Sequence, residues 1–237
     1  MTPERDVTSD PLLPALDPGY ARPMTRRETD ALWTLVRAER AALLSDLEGL
    51  TDEQWRSPSL CGEWDVENVV AHLTAAATTT RFGWLRSMAA ARFRPAVHNE
   101  RRLAEHLGAT PQQTLEAFRA VIDARIAPTS DITAFLGEVV VHAQDIREPL
   151  GLTTTPSAEA LTAVAEFYAA KDFAVPSHAM VEGLRLRASD TPFTHGTGPE
   201  VVGPLLSLVM AMAVRPSHLD RLDGAGAATL RQRVEDE

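Results

Sequence analysis

The stretch from Asp131 to Leu150 constrains this chain more than any other part of it. Read as a helix, it is apolar nearly all round as far as Ala143, and such a helix must be covered on most sides by other elements. Gly151 follows where a left-handed terminator belongs. Within Ala134-Phe-Leu-Gly-Glu-Val-Val-Val-His-Ala143 only Glu138 and His142 are polar. Four positions apart on a helix, they project about 40° from one another and share a face. A carboxylate isolated in apolar surroundings is expensive, so Glu138 must be neutral, paired or bound to a cation. Two readings stay open: a hydrogen-bonded Glu–His pair, or two ligands of one ion.

The covering helices are legible from their periodicity. Leu32, Leu35, Val36, Leu43, Leu44 and Leu47 mark one face of an amphipathic helix that starts at Thr29 and ends before Gly49, interrupted only by Glu39. Asp65 is placed to cap a second helix built on Val66, Val69, Val70, Leu73 and Ala77 and running to about Met88. A third stretch, Asn99 to Ala127 with a break at Gly108 to Pro111, turns Leu115, Phe118, Val121, Ile122 and Ile126 inward and is stopped by Pro128. Together with Asp131 to Leu150 these predict an antiparallel four-helix bundle, which places polar sites among facing helices in its interior.

Beyond Gly151 the texture changes. Thr153-Thr-Thr-Pro-Ser157 reads as a linker, Ala158 to Lys171 as a fifth helix and Val181 to Arg187 as a short strand. His195 to Gly203 reads as a turn-rich passage, and Pro204 to Val214 as an apolar helix. The expected organisation is an extended arm over residues 1–28, a helical bundle over 29–152 and a small α+β unit over 153–237.

Composition excludes several classes of function. With 237 residues and 44% hydrophobic content the chain can bury a core without staples, and Cys61, its one cysteine, has no partner within it. No apolar run reaches the roughly 18 residues of a membrane span. The acidic, proline-rich start lacks the basic and apolar segments of a signal peptide, so a cytoplasmic location is expected. A net charge of -10 repels phosphate backbones and anionic lipid, so neither nucleic acid nor membrane is an expected partner. His195-Gly-Thr-Gly-Pro199 does not lead a strand into a helix in the G-x-G-x-x-G register and is no dinucleotide site.

His72 lies at the border of the second helix's apolar stripe, where a solvent-facing position more often carries Lys, Arg or Glu. Alone it reads as a hydrogen-bonded core histidine. With Glu138 and His142 it makes two imidazoles and a carboxylate, the ligand set of a zinc-type divalent metal with one open position. That reading requires the two helices to face each other, which no spacing along the chain dictates. Asp145, one turn beyond His142, either orients that imidazole or pairs with Arg147 or an arginine of another helix. Cys61 reads as a small buried filler, and His98, His106, His178, His195 and His218 share no spacing.

Leu60-Cys-Gly-Glu-Trp-Asp-Val-Glu-Asn-Val-Val-Ala-His-Leu73, Asn99-Glu-Arg-Arg102 and Gly137-Glu-Val-Val-Val-His-Ala-Gln-Asp-Ile-Arg-Glu-Pro-Leu-Gly151, in that order, resemble the mycothiol-dependent maleylpyruvate isomerase family of the DinB-like superfamily. Gly183-Leu-Arg-Leu-Arg-Ala-Ser-Asp190, Gly198-Pro-Glu-Val-Val-Gly-Pro204 and Leu222-Asp-Gly-Ala-Gly226 resemble the small C-terminal domain that accompanies it. The likeness spans about residues 29–230.

The resemblance implies a mainly α protein, a DinB-like antiparallel four-helix bundle followed by a small α+β domain. It implies Zn2+ held by His72, Glu138 and His142, and mycothiol, the small thiol of actinobacteria, as cosubstrate. It also implies an arginine for a substrate carboxylate, Arg101 or Arg102, of which Arg101 is the catalytic candidate. In such enzymes a metal-held thiolate adds to a double bond; rotation and elimination isomerise the substrate, whereas retention of sulfur or loss of a leaving group gives S-transfer. Maleylpyruvate is then one candidate among small electrophiles, and a monomer or homodimer is expected. The alternative is a non-catalytic metal-binding, sensory or ligand-carrier module, in which a fourth protein ligand closes the metal.

Overall fold

The structure, a computed structural model, describes residues 24–80, 82, 95–127 and 129–237, with 95–100 described by their backbone alone. Helix α1 (Arg26–Leu47) opens with a capping box, in which the Thr25 hydroxyl accepts from the Glu28 N–H and the Glu28 carboxylate accepts from the Thr25 N–H. It therefore starts three residues before Thr29, because the cap precedes the first apolar residue of the stripe. After the single turn α2 (Asp52–Trp55), Asp65 caps α3 (Val66–Thr78) by accepting from the Asn68 N–H.

Helix α3 does not run on toward Met88. The Thr78 hydroxyl donates back to the Thr74 and Ala75 carbonyls, the Thr79 hydroxyl donates to Ala75, and Thr79 is extended. β-Branched residues bonded to the preceding turn weaken the helical ladder, and the chain leaves it there. Of the rest of that expectation Phe82 is helical, and position 81 and residues 83–88 lie outside the described residues, as do Pro128 and residues 1–23 of the expected arm.

The third stretch is two helices, α4 (Pro95–His106) and α5 (Pro111–Arg119), separated at the expected break. It stops at Arg119 and not at Ala127, and the buried Arg40 of α1 donates to the Val121 and Ala124 carbonyls that a continuing helix would have used. Helix α6 (Ile132–Arg147) packs against α1 and α3, with buried side chains around most of its circumference. Gly151 ends it with φ +66°, while the Leu152 N–H reaches the Arg147 carbonyl at 2.9 Å.

The remaining elements are α7 (Ala158–Ala170), α8 (Ser177–Val181), β1 (Arg185–Ala188), β2 (Thr194–Gly196), β3 (Glu200–Gly203), α9 (Leu205–Met212), a 3-10 helix (Pro216–Arg221) and α10 (Ala227–Glu235). The sheet order is β2-β1-β3, with β1 antiparallel to β2 and parallel to β3. The passage expected to be turn-rich, His195 to Gly203, thus holds β3 and all but the first residue of β2, strands too short to show alternation in the sequence. Gly196 and Gly198 permit the crossing, since a Cβ on either would stand 2.3 or 2.2 Å from a backbone oxygen of Leu184 or Gly183. Among the described residues no helix is long and apolar enough to cross a membrane.

Helix α7 joins the bundle to the C-terminal elements at both its cap and its body. Glu39, the polar interruption of the α1 stripe, is buried and accepts from both the N–H and the hydroxyl of Ser157, the cap of α7, at 2.9 and 3.0 Å. Helix α7 in turn packs on α6, where Gly137 faces Tyr168. A Cβ at Gly137 would lie 2.6 Å from the Tyr168 hydroxyl and 3.0 Å from its ring carbon. Gly137→Ala is therefore expected to destabilise the protein by about 1–3 kcal/mol in spite of alanine's better helix propensity, with Tyr168→Phe restoring part of the loss. Thermal unfolding of the two variants and their combination checks this.

Candidate metal centre

Helices α3 and α6 face each other, and their contact brings together three of the side chains singled out from the sequence. His72 Nε2 lies 3.3 Å from Glu138 Oε2, and His142 Nε2 lies 3.3 Å from the same oxygen. The two imidazoles meet edge to face at 5.0 Å between centroids, and the Trp64 ring lies 5.0 Å from His72 and 6.4 Å from His142. The side chains of His72, His142 and Glu138 are 13%, 11% and 29% exposed, so the carboxylate is the edge of the trio that solvent reaches.

Asp145 determines which nitrogen of His142 faces the trio. Its carboxylate accepts from His142 Nδ1 at 2.9 Å, leaving Nε2 to point at Glu138. In a neutral His142 that nitrogen carries a lone pair, so two acceptors confront each other unless a proton or a cation lies between them. Without a cation the proton fills this place. Burial would raise the Glu138 pKa, but hydrogen bonds from His142 and then His72 outweigh it and hold the carboxyl far below its usual range. Burial would lower the His142 pKa, but Asp145, Cys61 and Glu138 outweigh it and hold the imidazole well above its usual value.

Two nitrogens and one oxygen converging within 4.8 Å, one imidazole already braced from behind by a carboxylate, form a donor set suited to a divalent cation of the zinc type. The residues present therefore fit the metal that the resemblance implies.

Asp145 also makes the pairing offered as its other reading, with an arginine far along the chain. Fully buried, it receives Nε and Nη2 of Arg215, each at 2.8 Å. Arg147 is engaged elsewhere, donating to Asp46 at 2.7 Å. Arg215 emerges from a Schellman turn at the end of α9, where its N–H bonds to the Met210 carbonyl and that of Val214 to Ala211. Val214 takes the left-handed position at φ +60°, a conformation strained for a β-branched residue and usually given to glycine.

Sequence reasoning missed Arg215, for which no local pattern exists, and Trp64, although it lies within the motif over residues 60–73. It also underrated Cys61, which is half-buried with its thiol in a second cluster with His142 and Asp145, within 4.8 Å of both. Arg101 is exposed on α4, while Arg102 is partly buried and donates to the Thr79 hydroxyl at 3.2 Å.

Residues 36–127 match the profile of the mycothiol maleylpyruvate isomerase N-terminal domain. Over that stretch, less than half of the chain, the sequence is similar to this domain. The matched stretch includes His72 and Trp64 and stops short of Glu138 and His142. Two solved structures share the fold over 86% of this chain and 97% of their own, each with a TM-score of 0.60. They are the mycothiol-dependent maleylpyruvate isomerase, 17% identical to this chain, and a histidine-to-alanine mutant of it, 16% identical. No curated protein matches the sequence. The fold shared with the two solved structures is, in this chain, mainly helical with a small three-stranded sheet.

Proposed function

We propose that this chain is a zinc- and mycothiol-dependent enzyme that activates a thiol for cis-trans isomerisation of, or S-transfer to, a small electrophile. The observation that carries the proposal is the convergence of His72 and His142 Nε2 on a single oxygen of Glu138, each at 3.3 Å. His72, Glu138 and His142 are the residues that would hold the cation. Bound there, a divalent cation supplies Lewis acidity that keeps an incoming thiol deprotonated at neutral pH.

The chain's own side chains do the rest. Glu138 provides the anionic charge of the site and its solvent-facing edge, while Asp145 fixes the tautomer and tilt of His142. Trp64 covers the two imidazoles with an apolar face. Arg101, projecting from α4, is assigned to a substrate carboxylate, for which a guanidinium fork is suited. The organisation that goes with this function is a bundle over residues 29–152 holding the cation and a smaller unit over 153–237. The reading also takes the enzyme to be cytoplasmic, a monomer or homodimer, and of actinobacterial type because of its thiol.

The test is metal analysis of the purified chain after reconstitution with zinc, followed by assay with mycothiol and maleylpyruvate or other small electrophiles. One equivalent of zinc and turnover that requires mycothiol are expected, and a chain that takes up no stoichiometric metal overturns the proposal. Chelation gives a further prediction. At a free metal concentration 1,000 times Kd the bound ion adds about 4 kcal/mol to stability, so stripping it lowers the midpoint of thermal unfolding by about 8–16 °C.

A further inference from the structure

A second group of charges lies beyond the centre, at the C-terminal end of α6. In a 3-10 helix residues three apart eclipse one another, so Arg215, His218 and Arg221 form one stripe along Pro216–Arg221 and its cap. The stripe faces Asp145 and Glu148, three apart on α6 and its cap. Arg215 holds Asp145, Arg221 Nη2 donates to Glu148 Oε1 at 2.8 Å, and His218 Nε2 lies against Glu148 Oε2. Two carboxylates and two guanidinium groups balance, provided that His218 is neutral.

The surroundings of His218 impose that state. The residue is 1% exposed. Its Nδ1 faces Arg221 Nη1 at 3.3 Å and the Ser207 hydroxyl at 3.4 Å. A guanidinium can only donate, so Nδ1 is the acceptor and the ring proton sits on Nε2, which lies against Glu148 Oε2 without a well-directed hydrogen bond to it. A second proton would have to go on Nδ1, against a cation, in a site almost without water. Burial pulls the imidazole below its ordinary pKa, Glu148 pulls it partly back, and Arg221 pushes it down again.

The other elements packed on the 3-10 helix add no compensating charge. Helix α9 carries no ionisable residue and contributes Ser207. Helix α10 carries Arg231, paired with Asp220 at 3.0 Å, Arg233, which donates to the carbonyls of Met180 and Glu182, and the terminal Glu235. From α6, Asp145 is already neutralised by Arg215.

We propose that His218 is a proton-operated latch between the 3-10 helix and the end of α6, holding the two together while neutral and driving them apart when protonated. The latch does not depend on a metal. The sign follows from linkage: the docked state binds fewer protons at His218 than the open one, so docking is complete above the ordinary histidine value of about 6.5 and weakens as the pH falls below it. The loss approaches tenfold in the docking equilibrium per pH unit until the lowered docked-state value is passed.

The experiment is hydrogen exchange of the full chain between pH 7.5 and 5, corrected for intrinsic rates and read at residues 143–152 and 213–222. The wild type is expected to lose protection in both segments as the pH drops below about 6.5. His218→Gln is expected to stay flat, because an amide can donate to Glu148 and accept from Ser207 and Arg221 without titrating. An equal loss in His218→Gln, or none in the wild type, overturns the latch. Should His218→Gln fail to fold, Arg221→Gln decides: removal of the neighbouring cation must shrink the acid loss, and an unchanged or steeper loss overturns the proposal.

Discussion

Glu138→Gln is expected to leave the fold intact and abolish stoichiometric metal binding. The amide keeps the volume and the solvent-facing position of the carboxylate, so packing between α3 and α6 changes little. What goes is the one anionic donor, toward which both imidazole nitrogens point at 3.3 Å. Loss of an outer carboxylate behind a metal-bound histidine costs about 10–100-fold in affinity, and loss of a direct ligand must exceed that range. A drop of more than about a hundredfold is therefore expected, with mycothiol-dependent turnover lost in parallel. His72→Ala should behave alike, since it removes the ligand that α3 supplies. Competition against a chromophoric chelator measures the affinity, and far-UV circular dichroism shows that the helices remain. Retention of wild-type affinity in both variants would refute the ligand assignment, whatever the activity.

What was legible in the sequence and what was not divide along physical lines. The all-round apolarity of residues 131–143 required a helix covered on most sides, and α6 is that helix, between α1, α3 and α7. Glu138 and His142 stood out because each is costly in such a segment, and His72 because it sat where a stripe meets a polar face. These signals are local and follow helical periodicity. The end of α3 was misjudged because periodicity continued past Thr78, while consecutive threonines that bond back to the helix ended it. Strands β2 and β3 were missed because three or four residues carry no readable alternation, and their pairing with β1 is set by glycines that admit close backbones. His218 shares no spacing with the other histidines, yet it is buried because the 3-10 helix packs on α9 and α10 and turns it against Glu148 at the end of α6. Arg215 was invisible for a stronger reason: its partner lies 70 positions away.

That partnership yields the second large effect. Arg215→Met should cost the protein about 3–5 kcal/mol, the usual result of removing one member of a buried pair and leaving the other charge unpaired. Asp145 has no exposed side-chain surface, and without Arg215 its charge is shared with His142 alone. The side chain of Arg215 is 15% exposed, so some water can follow the deletion and the lower end of that range is expected. Because Asp145 holds His142 Nδ1, the same variant should weaken metal binding by about 10–100-fold although residue 215 touches no ligand. Asp145→Asn separates the two effects. An asparagine oxygen can still accept from Nδ1, so combining it with Arg215→Met removes the orphaned charge while keeping the imidazole oriented. The double variant is expected to be more stable than Arg215→Met alone, a non-additivity typical of side chains in direct contact. Denaturant unfolding with and without zinc gives the stabilities, and chelator competition gives the affinities. If the two substitutions simply add in stability, Arg215 is not neutralising Asp145; if metal affinity is unchanged in Arg215→Met, the chain from α9 through Asp145 to His142 carries no influence on the centre.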